Sequence, residues 1–215
     1  MNFVQSERDA LCDTALEVGE DAPTLSGDWT AKDLICHLLV RERSLIGAPG
    51  ISVPFLSGVT EHQMKRLARD DFAELVERFR TRPWLSPVAL PKVDALVNSL
   101  ELFVHHEDLR RAQPTWEPRE LDGRARGTLW KAISKQGVFL TRSADVPVTI
   151  RRTDPDKPGD ALKEAVLQSG PDPVVVSGPV AEIVLFLFGR AQTRGLTFDG
   201  PDDAVRKLRG ADLSL

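Results

Sequence analysis

Apolar positions recur along this chain at two spacings, and the change from one to the other divides it. From Phe3 to Val18, the residues Val4, Leu11, Ala15 and Val18 fall on one side of a helix, and Gly19 is placed to stop it. A second stripe of Leu34, Ile35, Leu38, Leu39, Leu45 and Ile46 follows Thr30 and Asp33, which pattern as a capping box; Gly47, Pro49 and Gly50 end it. Ile51 to Val59, with Pro54 and Gly58, reads as a loop. Thr60 and Gln63 suggest another capping box, opening one helix whose stripe runs through Met64, Leu67, Ala68, Phe72, Leu75, Val76 and Phe79. Arg82 to Leu90 is a proline-bearing connection containing Trp84. Pro91 suits the first turn of a fourth helix reaching about Ala112, with Val93, Leu96, Val97, Leu100, Phe103, Val104 and Leu109 as its apolar positions. A weaker pattern covers Leu121 to Thr141 and is interrupted by Gly127 and Gly137.

Beyond that point the spacing becomes that of strands. Val146 to Ile150 alternates, a turn-rich stretch holds Pro155, Pro158 and Gly159, and Leu162 to Gln168 and Pro173 to Ser177 follow as further strands. Val180 to Arg190 is apolar on nearly every side, the pattern of a buried helix. Leu196 to Phe198 and Ala204 to Leu208 read as a last strand and helix. Helices first and strands later predict a mostly α protein of two domains. An N-terminal bundle of four or up to five helices would span residues 1–143, and a small α/β domain residues 144–215.

Composition narrows the function. The 215 residues carry a net charge of −4, with lysine and arginine scattered and no basic patch interleaved with aromatics, which argues against nucleic acid. The two cysteines, Cys12 and Cys36, lie in helical patterns and fit a reducing cytoplasm. Met1 to Ala10 is polar, without the apolar core of a secretory signal, and Val180 to Phe188 is too short to span a bilayer. There are only four histidines, so their positions carry weight.

Glu101 and His105 are four apart, one turn above each other on the same side of the fourth helix. His37 stands just off the stripe of the second helix. Two imidazoles and a carboxylate from two rods suit zinc, with nickel or iron(II) as alternatives, and three protein donors leave a fourth position for water or substrate. The plainer alternatives are a solvated ion pair for Glu101 and His105 and a packing-edge histidine for His37. His62, in a first turn, is expected to be exposed. Cys36 abuts His37 but points off another face.

Three segments resemble one family. Trp29 to Leu38 is similar to the W-x-x-x-D-x-x-x-H-L segment of DinB-like metal-binding bundles. Glu101 to Leu109 is similar to the E-x-x-x-H-x-x-D-L segment of their mycothiol-dependent maleylpyruvate isomerase branch. Val174 to Glu182, followed by Leu187-Phe188-Gly189-Arg190, resembles the C-terminal domain of that branch. The resemblance implies a DinB-like four-helix bundle with a small α/β domain, and a divalent metal held by His37, Glu101 and His105. It also implies mycothiol as cosubstrate and an isomerase or S-transferase acting on a small electrophile. Where the family usually has a small residue, this chain has His106, expected beside the site or at the surface. Asp108 would orient His105 or be an ordinary surface carboxylate. Arg190 would act in catalysis by clamping a carboxylate of substrate or thiol, or else interact with its own helix end. The competing functions are a metal-dependent hydrolase using metal-bound hydroxide and a non-enzymatic metal- or ligand-binding protein. A monomer or homodimer without a membrane partner is expected.

Overall fold

The structure, a computed structural model, describes residues 3–43, 57–81, 91–157 and 159–213. Among the described residues six helices precede a four-stranded sheet, and two helices accompany the sheet: α1 (Phe3–Val18), α2 (Ala31–Arg43), α3 (Ser57–Leu67), α4 (Phe72–Arg80), α5 (Pro91–Arg111), α6 (Gly123–Leu140), β1 (Val148–Arg152), β2 (Lys163–Gln168), β3 (Val174–Gly178), α7 (Val180–Leu187), β4 (Thr197–Asp199) and α8 (Asp202–Gly210). The mostly helical first part and the mixed sheet after it are as the two spacings predict. Leu45 to Leu56, Arg82 to Leu90 and Pro158 lie outside the described residues, so the loop and connection expected there are not described. Among the described residues no helix is long and apolar enough to cross a membrane.

The first compact unit, Met1–Glu117, holds α1 to α5. Its core joins Val4, Leu11, Cys12 and Ala15 of α1 to Leu34, Ile35, Leu38 and Leu39 of α2, Leu75, Val76 and Phe79 of α4, and Leu102 and Leu109 of α5. The stripe expected to be one helix from Thr60 to Phe79 is two. The chain tightens after Leu67 through the Asp70 N–H to Leu67 carbonyl bond, and the Asp71 carboxylate then accepts the Glu74 N–H to start α4. An apolar stripe can run through such a break because both pieces present the same side to the core. The helix also begins at Ser57, ahead of Thr60.

Helix α5 departs from the amphipathic expectation. From Asn98 to Arg111 it is buried except at the half-buried Glu101 and Arg110, charged residues included: His106, Glu107, Asp108 and Arg111 are all nearly inaccessible. Each of these has a partner, as buried charge requires. The Glu107 carboxylate receives the Arg111 Nε at 2.6 Å and the Arg110 Nη1 at 3.0 Å. On α1, Arg8 is 1% exposed, donates to the Phe79 carbonyl and lies over the Phe79 ring. The side chains of Val93, Leu96 and Val97 lie outside the described ones.

The second compact unit, Pro118–Leu215, contains a sheet of order β2-β1-β3-β4, with β1 parallel to β3 and both outer pairs antiparallel. Val148, Ile150, Val174 and Val176 are fully buried on it, as is most of α7. The units part between Glu117 and Pro118, and α6 packs on β2 and α7. The glycines that weaken the helical pattern of α6 make this approach possible: a Cβ on Gly137 would come within 2.9 Å of Leu167 on β2. A Cβ on Gly123 would overlap the Asp156 carbonyl oxygen, which is backbone and cannot swing aside. Gly123→Ala is therefore expected to lower stability by about 1–3 kcal/mol in urea unfolding, despite the better helix propensity of alanine.

Candidate metal centre

The site begins with the cap of α2. The Asp33 carboxylate accepts the Thr30 N–H at 3.0 Å while the Thr30 hydroxyl accepts the Asp33 N–H at 3.2 Å, the reciprocal pair read from the sequence. That cap sets the start of a helix that turns Leu34, Ile35 and Leu38 inward and leaves His37 at the margin, packed on the Trp29 ring at a centroid distance of 4.9 Å. On α5, Glu101 and His105 stand one turn apart, as their spacing dictates.

The three side chains converge. The Glu101 Oε1 lies 3.1 Å from His105 Nε2 and 3.6 Å from His37 Nε2, and one ligand atom from each residue lies within 4.8 Å of the others. Donors bonded at about 2.1 Å to one tetrahedral ion are about 3.4 Å apart, so these two separations bracket what a shared ion requires. The imidazole rings of His37 and His105 meet edge to face at 5.3 Å. His37, Glu101 and His105 thus form a group able to hold a metal ion. Their side chains are 24%, 21% and 11% exposed, so the group is reachable from solvent on the His37 side.

A second layer orients these donors. His105 Nδ1 is 3.1 Å from Asp108 Oδ2, and Asp108, fully buried, also accepts the Ser26 hydroxyl at 2.8 Å. With Nδ1 donating to a carboxylate, Nε2 is the nitrogen left for a cation, and the ring cannot flip without losing that bond. Asp108 is therefore the orienting group and not a surface carboxylate. His106 is neither beside the site nor at the surface: its Nδ1 meets Glu7 Oε1 at 2.8 Å and its Nε2 meets the Thr14 hydroxyl at 3.0 Å, both on α1. Adjacent helical residues point about 100° apart, so it leaves α5 toward another neighbour.

Arg41 and Asn98 complete the surroundings. Arg41 Nε is 3.3 Å from Glu101 Oε1 and its Nη1 donates to Asn98 Oδ1 at 2.8 Å. Neither was singled out in the sequence, although Arg41 follows His37 by one turn and Asn98 precedes Glu101 by one. The charges act on one another. Burial alone would raise the Glu101 carboxyl, but Arg41 and the hydrogen bonds of His105 and His37 hold it well below the ordinary carboxylate range. Burial lowers His37 from 6.5, and its contact with Glu101 only partly opposes this. Burial would lower His105 too, yet its bonds to Asp108 and Glu101 win and raise it to about 9.

Of the other expected positions in the first unit, neither His62 nor Cys36 belongs to this group. His62, on α3, is exposed. Cys36 is buried, and burial pushes its thiol up to about 11, so it is no nucleophile. Arg190 belongs to the second unit, just past α7, where its Nη1 donates to the Phe188 carbonyl at 2.6 Å. That contact is with its own helix end, one of the two roles its sequence position allowed. Compared with protein-family models, curated proteins and solved structures, the chain matches none.

Proposed function

We propose that this chain binds a divalent cation through His37, Glu101 and His105 and is a thiol-dependent metalloenzyme, an isomerase or S-transferase acting on a small electrophile. The observation that carries the reading is the convergence of the three donors with Asp108 fixing the His105 tautomer. Three donors suit catalysis better than storage, because a structural zinc site is closed by four. Zinc is the default, with nickel and iron(II) as alternatives for a set of two imidazoles and a carboxylate. Bound there, a divalent cation lowers the pKa of a thiol or water that reaches it and so supplies a nucleophile at neutral pH.

The chain's own residues do the rest. Asp108 and Ser26 keep the His105 ring in one orientation, and Trp29 walls one side of His37. A borrowed thiol is needed because Cys12 and Cys36 are buried, their thiols pushed up to about 12 and about 11. The three sequence motifs support mycothiol as that thiol, and Arg190 as the residue that clamps a carboxylate of the substrate. Metal analysis of the purified protein, followed by assay on maleylpyruvate and related electrophiles with and without mycothiol, tests the proposal. Stoichiometric metal and turnover only with thiol are expected. Turnover that ignores the thiol would replace this reading by the hydrolytic one, and absence of metal would end both.

A further inference from the structure

Arg41 has no part in holding an ion, yet it stands in contact with the donor that would. Its Nε lies 3.3 Å from the Glu101 oxygen nearest both histidines, and its Nη1 is fixed by Asn98 at 2.8 Å. A guanidinium carries five N–H donors in a planar fork. Among the described residues these two contacts use only part of the fork, and the side chain is 26% exposed, on the same helix as His37 and one turn further along. An incoming molecule that reaches the three donors from solvent therefore meets this cation as well.

The charge balance points the same way. Both imidazoles are neutral when they ligate. Glu101 and Asp108 then stand against a divalent cation and Arg41, which leaves one positive charge over. Without Arg41 the excess disappears. In a partly buried site such a charge weighs more than at an open surface.

We propose that Arg41 makes this site selective for anionic ligands, specifically a small electrophile that bears a carboxylate, with the guanidinium gripping the carboxylate. The inference rests on the metal-binding reading above but is separable from it. Asn98 acts as a positioning residue that fixes which edge of the fork is presented. A bidentate grip on a carboxylate needs the planar fork, so lysine is a partial substitute only.

The test uses the cobalt(II)-loaded protein with two probes, 3-mercaptopropionate and 2-mercaptoethanol, which differ in carrying or lacking a carboxylate. Each thiol gives its proton to the buffer on binding, and the sulfur-to-cobalt absorption reads the occupancy. The wild-type chain is expected to bind the carboxylate-bearing thiol about tenfold more tightly. Arg41→Gln should bind the two about equally with its cobalt content unchanged, and Arg41→Lys should fall between. A tenfold preference that survives Arg41→Gln, or no preference in the wild type, overturns the proposal. Loss of cobalt from both variants with helicity retained also overturns it, since Arg41 would then serve only to hold Glu101. A wild-type protein that takes up no cobalt fails earlier, at the metal-binding reading itself, and carries this inference down with it.

Discussion

His37→Ala and His105→Ala are each expected to yield a folded helical protein that no longer carries stoichiometric divalent metal, whereas His106→Ala is expected to keep its metal and lose stability. The contrast follows from where consecutive residues of α5 point. His105 faces Glu101 and Asp108, while His106 faces Glu7 and Thr14 on α1. Removing His37 costs about 1 kcal/mol or less, because it sits at the margin of the core. Removing His105 deprives the fully buried Asp108 of a partner, and removing His106 does the same to Glu7, 4% exposed; each costs about 2–4 kcal/mol. Metal analysis beside urea unfolding separates the outcomes. Metal retained by His37→Ala, or lost from His106→Ala, would refute the assignment of donors.

Uptake of zinc by the metal-free protein is expected to release about one proton per ion near pH 7, and its affinity to rise about tenfold per pH unit between pH 7 and 9. The sign follows from the state of each donor. Glu101 is already ionised and His37, lowered from 6.5, is already neutral, so neither gives up a proton. His105, raised to about 9, is an imidazolium whose Nε2 proton must leave before that nitrogen can bind a cation. The same raised pKa stabilises the metal-free fold fully below about 6.5, and this contribution is lost as pH rises through about 9. The gap in melting temperature between zinc-loaded and metal-free protein should therefore widen over that window. Calorimetry in buffers of different ionisation enthalpy counts the proton. Asp108→Asn removes one of the two contacts that raise His105 and should flatten the pH dependence; an unchanged slope would show that another group supplies the proton.

Much of the site is legible in the sequence because its logic is local. The capping box of Thr30 and Asp33, the one-turn spacing of Glu101 and His105, and the scarcity of histidine need no knowledge of packing. What stays hidden depends on which helices meet. Nothing near Glu7 or Arg8 announces burial, since a charged residue on α1 reads as solvated until its partner on α4 or α5 is known. The same blindness made α5 look two-faced: its charged positions read as a wet side, yet each is matched by a neighbour. Gly127 and Gly137 looked like flaws in a helix, and only the closeness of Asp156 and Leu167 turns them into the reason α6 belongs with the sheet. The break at Asp71 went unread because the apolar stripe crosses it without a change of side.

Because His105 and His106 are committed to different neighbours, α5 cannot be lengthened or shortened by a single residue anywhere between Asn98 and Arg111. One codon inserted between Glu101 and His105, for example, would roll everything after it by about 100°. The imidazole meant for Glu101 would be carried toward α1, and Asp108 away from Ser26. The stretch from Gln113 to Leu121, outside any helix, imposes no such arithmetic. Natural variation in chain length should therefore gather in that stretch and spare the helix, and a designer moving this site to another scaffold would have to transplant the whole segment in one piece.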